Sequence, residues 1–478
     1  MSEKVVHYPH YIGEEKLTNN EVINVEDKFE NTPLATISRG SKTEIDKAVK
    51  VAKETFETIK LTPTERADLL VAAAQKFKER KEELAETIAR EVGKVINDAR
   101  GEVDRGIQTF LAAAEEGKRI TGHTVPVEGQ SGNENRMAFT IRQPVGVVAA
   151  ITPFNFPFNL TAHKLAPALA AGNTIVLKPA EKTPLSAIKM VEILREVGFP
   201  TGYLNVVNGY GHEAGQHLLK HPDVNMYTFT GSPDIGRLIK SETGIRKVTL
   251  ELGSNAPNIV HKDVENLSEI AQSCVQKGVI HNGQACISVQ RVYVQEEVLD
   301  AFLEEAKNAA ESLVVGDPMK DETQVGPMID KKSAERIESW VNEAVEQGAT
   351  VVSGGKREGS IYYPTVLTDV KPEMKVVCDE VFAPVIVVVP YKDFNDAIKQ
   401  ANDSRYGLQV GVFTSNIHLA MEAAKTLQFG GVIINDVSTF RADVMPYGGI
   451  KDSGVGKEGP KYAIEEMTDE KIIVLNNK

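Results

Sequence analysis

The chain has 478 residues, too many for one compact core, so two or three domains are expected. Its net charge of -13 disfavours nucleic acid and anionic membrane surfaces as partners, and three cysteines are too few for a disulfide framework. The first residues lack the apolar stretch of a signal peptide, and no apolar run approaches the length of a membrane span. We therefore expect a cytoplasmic protein.

The first quarter of the chain has helical periodicity. Between residues 42 and 120, apolar side chains recur at the three- and four-residue spacing of a helix that buries one face. The pattern predicts one long amphipathic helix over residues 66–93 and another over residues 98–117.

From Gly146 onward, short apolar runs bounded by Gly or Pro alternate with helical segments. Runs at residues 147–151 and 174–177 flank a helical segment at 162–171, which predicts a βαβ unit with buried parallel strands. The same alternation continues to Phe229 and indicates a nucleotide-binding α/β domain.

A second α/β region is expected from Gly253 to about Thr439. Its strand candidates are residues 289–294, 350–352 and 385–389, and its helix candidates are residues 299–313 and 333–347. Two further segments, residues 121–142 and 464–475, have a strand-like pattern but fit neither core.

Two residues in short turns indicate chemistry. Cys286 ends the small-residue turn that starts at Gly283, and Glu251 follows a β-rich run at residues 247–250. A thiolate can attack a carbonyl carbon, and a carboxylate that activates water can hydrolyse the resulting thioester. Without further support, a buried cysteine and an unrelated glutamate remain the alternative.

Seven segments, found in the expected order, resemble the signatures of the aldehyde dehydrogenase superfamily. The resemblance extends from about residue 37 to residue 473, and Ser254 stands where the family often has a second glycine. A serine is compatible with this turn if its φ angle is negative. The segments are residues 151–157, 174–181, 229–232, 251–257, 283–286, 380–384 and 446–449.

The resemblance implies an α/β fold with a Rossmann-type nucleotide-binding domain, an α/β catalytic domain and a small β oligomerisation arm. It assigns residues 1–120 and 143–252 to the NAD(P)-binding domain and residues 253–455 to the catalytic domain. Residues 121–142 and 456–478 would form the arm, through which the chain would assemble as a homodimer or homotetramer.

The same resemblance implies a small aldehyde substrate, anionic or hydroxylated, that is oxidised to its carboxylic acid with NAD(P)+. Cys286 would be the nucleophile and would carry first a thiohemiacetal and then a thioester. The Asn155 side-chain amide and the Cys286 backbone N–H would bind the oxyanion. Glu251, with a pKa raised by partial burial, would activate the hydrolytic water.

Cofactor residues are expected where strands end. The segment at residues 209–215 misses the dinucleotide fingerprint by one residue, and the turn after Phe229 leads into a helix N-terminus that suits a pyrophosphate. By resemblance, Lys178 and Glu181 would meet the adenosine ribose; Glu181 favours NAD, while neighbouring lysines leave NADP as an alternative. Glu380 and Phe382 would meet the nicotinamide ribose and ring. The cofactor set is Thr152, Phe154, Lys178, Glu181, Gly211, Phe229, Gly231, Ser232, Leu252, Glu380 and Phe382.

Arg105 and Arg441 lie in segments that face the substrate entrance in the family, where two guanidinium groups could clamp an anion. The neighbouring Asp104 and Asp443 leave structural ion pairs as the alternative. His217 and His221 stand four residues apart without a third ligand, so no metal site is predicted.

Two rival functions remain open at this point. A CoA-acylating relative would lack a carboxylate that activates water, so Glu251 counts against it. A binding or structural homologue would keep the fold without the reaction. It has no use for Cys286, Glu251 and Asn155 together.

Overall fold

The computed structural model describes residues 5–477 of the chain. Long helices dominate the first quarter and then alternate with strands. The helices are α1 (Lys42–Thr58), α2 (Pro63–Glu79), α3 (Lys81–Val92), α4 (Ile96–Gly117), α5 (Asn159–Ala171), α6 (Leu185–Glu196), α7 (Gln216–Lys220), α8 (Pro233–Glu242), α9 (Leu267–Val279), α10 (Leu299–Ser312), α11 (Lys331–Glu346), α12 (Lys375–Cys378), α13 (Phe394–Asn402), α14 (Ile417–Thr426) and α15 (Pro460–Glu466).

The strands fall into five sheets, of which two are large, with eight and seven strands. In chain order they are β1 (Val6–Tyr8), β2 (His10–Ile12), β3 (Glu15–Leu17), β4 (Val22–Glu26), β5 (Pro33–Ser38), β6 (Thr124–Val125), β7 (Arg136–Pro144), β8 (Val147–Ile151), β9 (Thr174–Lys178), β10 (Leu204–Val206), β11 (Met226–Thr230), β12 (Lys247–Glu251), β13 (Pro257–Val260), β14 (Arg291–Gln295), β15 (Thr350–Ser353), β16 (Arg357–Glu358), β17 (Ile361–Tyr362), β18 (Thr365–Thr368), β19 (Val385–Tyr391), β20 (Gln409–Phe413), β21 (Gly431–Ile434), β22 (Gly454–Val455) and β23 (Thr468–Asn476).

The prediction of one helix over residues 66–93 was wrong, because α2 ends and α3 begins at Arg80. The backbone of Arg80 leaves the helical region, with φ -106° and ψ 22°. The bend lets both helices pack against α4, and a straight continuous helix would not follow that surface.

The first large sheet has the order β22-β12-β11-β8-β9-β10-β2-β3, and its five central strands are parallel. The strand order reverses between β8 and β11, which creates a crevice at their carboxyl ends. The chain leaves these strands towards Thr152, Ser232 and Leu252. The predicted cofactor segments therefore lie along one edge of this sheet.

The second large sheet has the order β15-β18-β19-β14-β13-β20-β21. Five residues, 252–256, join the carboxyl end of β12 to the amino end of β13. Cys286 precedes β14 and Glu380 precedes β19, so both also lie at amino ends of this sheet. The carboxyl edge of the first sheet thus meets the amino edge of the second, with the candidate residues between them.

The third sheet, β23-β7-β6, is antiparallel and joins the two extended segments that fitted neither core. Thr468 pairs with Pro144 and the register continues to Asn476 opposite Arg136. The predicted strand start at residue 464 was wrong. Gly459, at φ 97°, and Pro460 begin a helix that continues to Glu466.

The domain bounds stay a prediction, and residues 1–4 and 478, which they include, lie outside the described residues. Among residues 5–477, no helix combines the length and the apolar character that crossing a membrane requires.

A buried ion pair between Glu102 of α4 and Lys94, in the turn before α4, holds the loop after β8. The side chains of Lys94 and Glu102 are fully buried and bonded to each other. The free carboxylate oxygen of Glu102 accepts hydrogen bonds from the backbone N–H groups of Phe158 and Asn159, at 2.9 and 3.1 Å. The first turn of α5 is therefore fixed by a carboxylate from another helix.

Replacing Glu102 by alanine should lower the free energy of unfolding by about 3–5 kcal/mol, because Lys94 loses its buried counter-charge. The matched control is Glu115→Ala, since Glu115 pairs with Arg119 on the exposed surface of the same helix. That change should cost less than about 1 kcal/mol. Urea unfolding followed by circular dichroism measures both, and equal losses would contradict the structural role of Glu102.

Candidate active site

The turn that carries Cys286 follows α9 and has a left-handed backbone. His281, Asn282 and Gly283 have φ angles of 49°, 56° and 71°. A side chain is excluded at Gly283, since a Cβ atom there would lie 2.0 Å from the Ala383 carbonyl oxygen. The Asn282 side chain bonds two backbone groups of a neighbouring loop, at 2.6 and 2.7 Å. Cys286, which is half-buried, is therefore presented by a fixed turn.

Asn155 lies in the loop after β8 and is 5% exposed. Its Nδ2 atom donates to the carbonyl oxygen of Gln284 at 2.8 Å, two residues before Cys286. Its Oδ1 atom accepts no hydrogen bond within residues 5–477. The structure thus brings the loops of Asn155 and Cys286 together and leaves one amide hydrogen of Asn155 outside the bond to Gln284.

Glu251 ends β12 and is buried. Its two carboxylate oxygens accept no hydrogen bond from any described residue. Burial, and then repulsion by Glu458, raises the pKa of Glu251 well above its ordinary value. The backbone of Gly448 approaches closely, since a Cβ atom there would lie 3.0 Å from Glu251 Oε1. A buried carboxyl group with a raised pKa is typical of general acid-base residues.

Glu458 carries the negative charge of the site. It accepts from Lys164 Nζ at 3.0 Å and from Arg441 Nη2 at 3.0 Å, and all three side chains are at most 5% exposed. Burial opposes ionisation of Glu458, yet Lys164 and Arg441 lower its pKa to about 2. Of the two neighbouring carboxyl groups, Glu458 is therefore the one that stays ionised.

Glu380 and Phe382 lie on the loop before β19. The Glu380 carboxylate accepts from the Ser254 backbone N–H at 3.0 Å, and burial raises its pKa to about 7. Gly253 makes room for this carboxylate, because a Cβ atom there would lie 2.5 Å from Glu380 Oε2. The φ angle of Ser254 is not positive, so a serine is compatible with this turn. Phe382 has a left-handed backbone, with φ 49°.

The predicted ribose segment follows β9. Lys178 is buried. Its Nζ atom donates to the Pro179 carbonyl at 3.0 Å and lies 3.6 Å from the Glu181 carboxylate. Thr152 donates its backbone N–H to the Lys178 carbonyl, and the Phe154 ring meets the Phe382 ring edge-on, with centroids 5.9 Å apart. These residues therefore line the same side of the first sheet.

Four of the remaining cofactor candidates, Phe229, Gly231, Ser232 and Leu252, lie at or against α8. Ser232 caps this helix, and the Phe229 ring covers Gly231, where a Cβ atom would lie 2.4 Å from the ring. The Leu252 side chain contacts Gly236 in the same helix, while Gly211, at the start of a π turn, has open space around it. The turn after β11 is thus kept narrow by glycine.

Sequence comparison places the chain in a known group. A model of the aldehyde dehydrogenase family matches residues 15–473. The chain belongs to this family. A 3-sulfolactaldehyde dehydrogenase of Priestia aryabhattai is 52% identical to it over 473 residues, which cover 99% of each chain.

Solved structures of aldehyde dehydrogenases agree with the whole fold. The NADP-dependent glyceraldehyde-3-phosphate dehydrogenase of Bacillus halodurans C-125, complexed with NADP, is 39% identical with a TM-score of 0.96, and covers 99% of this chain and 100% of its own. Aldehyde dehydrogenase 21 of Physcomitrella patens, in complex with the reaction product succinate, is 38% identical with a TM-score of 0.96 and 99% coverage of both chains. The predicted fold class and enzyme class, an NAD(P)-dependent aldehyde dehydrogenase, are confirmed.

Sequence reasoning missed three residues of this aldehyde dehydrogenase site. The Tyr447 hydroxyl lies 3.0 Å from Cys286 Sγ, although only the motif around Tyr447 was noted from the sequence. Lys164 and Glu458 bond to each other and lie in stretches without a motif. A buried lysine within the otherwise apolar and neutral run of α5 was the available clue.

The two arginines predicted for the substrate have different surroundings. Arg105 is one-third exposed, and its Nε and Nη2 atoms donate to the carboxylate of Asp443 at 3.0 and 2.8 Å. The Asp443 carboxylate also accepts from His163 at 2.8 Å. Arg441 is 5% exposed and stacks on Tyr447, and its Nε atom has no partner among the described residues. Arg441 therefore keeps a donor in the site, whereas the planar fork of Arg105 is occupied.

Within residues 5–477, no group of three or more His, Cys, Asp or Glu side chains is placed to hold a metal ion. The pair His217 and His221 accordingly gains no third ligand in the described part of the chain.

Replacing Glu458 by glutamine should lower the pKa of Glu251, because the repelling charge disappears and Lys164 and Arg441 lose their counter-ion. Infrared difference spectroscopy follows the protonated carboxyl band of Glu251, which is assigned by its loss in Glu251→Gln. The titration midpoint should move to lower pH, and the exposed control Glu465→Gln should leave it in place. A midpoint that stays or rises in Glu458→Gln would contradict this account.

Proposed function

We propose that Cys286 is the nucleophile of this aldehyde dehydrogenase and that the product is released by hydrolysis. The arrangement that carries this proposal is the convergence of three distant segments. The Asn155 side chain donates to the carbonyl of Gln284, two residues before Cys286. Glu251 is the last residue of β12, which lies between Asn155 and Cys286 in the sequence. These residues suit three tasks: Cys286 attacks the aldehyde, Asn155 binds the oxyanion and Glu251 activates water.

The oxyanion of the tetrahedral intermediate needs donors that are already in place. Asn155 has one N–H engaged by the Gln284 carbonyl, which fixes the amide plane and leaves the second N–H for the substrate oxygen. The Cys286 backbone N–H would supply the second donor. Both donors belong to loops that are anchored by buried polar contacts, so little reorganisation is required.

Glu251 is assigned the hydrolytic step. Its carboxylate has no competing donor among the described residues, so a water molecule is its natural partner. Once deprotonated, it accepts a proton from that water as the oxygen attacks the thioester carbon, and the Cys286 thiolate leaves. Because its pKa is raised, this step should become faster as the pH rises through that pKa.

The cofactor we assign is NAD, with NADP as an alternative. A bound nicotinamide would supply the hydride acceptor for oxidation of the thiohemiacetal on Cys286. The N-terminus of α8, with Ser232 and the narrow Gly231 turn, suits a pyrophosphate, and Thr230 Oγ1 is buried without a partner among the described residues. Glu181 would accept from ribose hydroxyls and disfavour a 2′-phosphate. Glu380 would hold the second ribose, Phe382 would border the ring, and Thr152, Phe154, Lys178, Gly211, Phe229 and Leu252 complete the set.

Two alternatives are disfavoured by specific residues. A CoA-acylating enzyme transfers the acyl group to a thiol and has no need of a buried carboxyl group with a raised pKa, which Glu251 supplies. A non-catalytic homologue would have no reason to keep Cys286 in a strained turn beside Asn155.

We propose a small aldehyde that carries an anionic group and a hydroxyl group as the substrate. Arg441 keeps its Nε donor free of described partners, and it lies beside Tyr447 and therefore close to Cys286. Arg105 would contribute to the charge of the entrance, although Asp443 occupies its fork. The sulfonated, hydroxylated aldehyde named for the relative from Priestia aryabhattai has this chemistry.

We propose a three-part division into NAD(P)-binding domain, catalytic domain and arm, which is supported by the eight-stranded sheet, the seven-stranded sheet and the antiparallel sheet β23-β7-β6. Met137, Ile472 and Val474 on the arm sheet are about half exposed, which favours burial against another copy in a homodimer or homotetramer. The free, exposed thiol of Cys378 favours the reducing environment of the cytoplasm.

Cys286→Ala should reduce aldehyde turnover to below about 1% of the wild-type rate, because no other described thiol lies in the site. Cofactor affinity, measured by fluorescence titration, should stay within about threefold, since the thiol is not part of cofactor recognition. The matched control is Cys274→Ala. It removes a buried thiol of α9 that packs among apolar side chains, and it should leave turnover nearly unchanged. Substantial NADH formation by Cys286→Ala would refute the nucleophile assignment.

Arg441→Lys should lower kcat/KM for an anionic aldehyde about tenfold or more, because lysine keeps the charge that balances Glu458 but loses the forked donors. For a neutral aldehyde such as propanal, the loss should be no more than about threefold. Steady-state kinetics with the two substrates measures the ratio. Equal losses for both aldehydes would contradict a role of Arg441 in recognising the anionic group.

A further inference from the structure

The hydroxyl of Tyr447 points at the sulfur of Cys286. The two atoms lie 3.0 Å apart, and Tyr447 is 2% exposed. Cys286 Sγ is the only hydrogen-bond partner of this hydroxyl within residues 5–477. A buried hydroxyl without a partner is costly, so the contact with sulfur accounts for a tyrosine at a position where phenylalanine would fill the same space.

The ring of Tyr447 is itself held in place by a cation. The Arg441 guanidinium carbon lies 3.6 Å from the ring centroid, and its Nη2 atom donates to Glu458. A positive charge on the ring face stabilises the ring position and makes the hydroxyl a better donor. Arg441 thus positions the tyrosine on which Cys286 depends.

The groups around Cys286 act on the ionisation of its thiol in both directions. Partial burial raises the pKa of the thiol to about 12, Tyr447 and Arg441 lower it, and the carboxyl groups of Glu380 and Glu251 raise it. Burial, followed by the nearby sulfur, raises the pKa of Tyr447 well above its ordinary value, so the phenol keeps its proton. Tyr447 is therefore a donor to the sulfur and not a base.

We propose that Tyr447 is a further catalytic residue, whose hydroxyl donates a hydrogen bond to the Cys286 thiolate and holds it in place for attack. The inference rests on the proposed role of Cys286 as nucleophile. When the thiol ionises, its proton leaves to water and Tyr447 keeps its own O–H bond. The sulfur then uses the freed electron pair to form the bond to the aldehyde carbon.

The test measures the thiol directly, apart from turnover. Tyr447→Phe keeps the ring and its stacking on Arg441, and removes only the hydroxyl. The variant is made in a Cys378→Ser background, which removes the exposed thiol, while Cys274 is buried. Alkylation of Cys286 by iodoacetamide is followed by peptide mass spectrometry over the pH range in which the protein stays folded. The matched control is Tyr391→Phe, which removes a buried hydroxyl bonded at 3.1 Å to the Val260 carbonyl.

We expect loss of the hydroxyl to raise the pKa of the thiol by about one unit. Thiolate nucleophilicity rises with basicity, so below the titration midpoint alkylation should slow by about fourfold. The ratio should be constant with pH in that range, and Tyr391→Phe should match the parent. An alkylation rate in Tyr447→Phe that equals or exceeds the parent rate at every such pH would overturn the proposal.

Failure of this inference differs from failure of the proposed function. Turnover that persists in Cys286→Ala would remove the role of the thiol, whatever its alkylation rate. Unchanged alkylation in Tyr447→Phe, with turnover still dependent on Cys286, would remove only the role of the hydroxyl. Cofactor binding equal to that of the parent shows that the variant is folded.

Discussion

The site depends on the balance of charge around one buried carboxylate. Glu458 lies away from water between Lys164 and Arg441, and each of the three would be costly to bury alone. Lys164 belongs to a helix of the first sheet, Arg441 follows the second sheet, and Glu458 precedes the helix that leads into the arm. One ionic cluster therefore ties together segments of three sheets next to the candidate site.

The same cluster explains how a second carboxyl group can serve nearby. With Glu458 ionised and compensated, Glu251 faces a site in which an additional negative charge is disfavoured, and its proton is retained to higher pH. The two groups are alike in chemistry and differ in role because only one has direct cationic partners. This separation of neighbouring carboxyl groups by environment is a recurring arrangement for acid-base catalysis.

Sequence motifs were sufficient for the fold class. They also marked Cys286, Asn155 and Glu251 as candidates, because each follows a recognisable turn or strand end. Motifs were insufficient for features that depend on tertiary contacts. The break at Arg80 follows from packing on α4, and the contact of Tyr447 with Cys286 joins residues far apart in the chain. The pairing of the Arg105 guanidinium with the Asp443 carboxylate is likewise a contact between residues distant in the sequence. Pairing between distant side chains leaves no periodic signal in a single sequence.

Helix α4 carries two carboxylates one turn apart, and each holds a different loop. Glu102 fixes the loop that contains Asn155, and Asp98 accepts from the backbone N–H of His281, in the turn that presents Cys286, at 3.3 Å. The spacing of these two anchors along α4 is therefore one helical turn, about 5.4 Å. In a laboratory evolution experiment, substitutions on the buried face of this helix would retune the reaction geometry without touching any group that contacts the substrate.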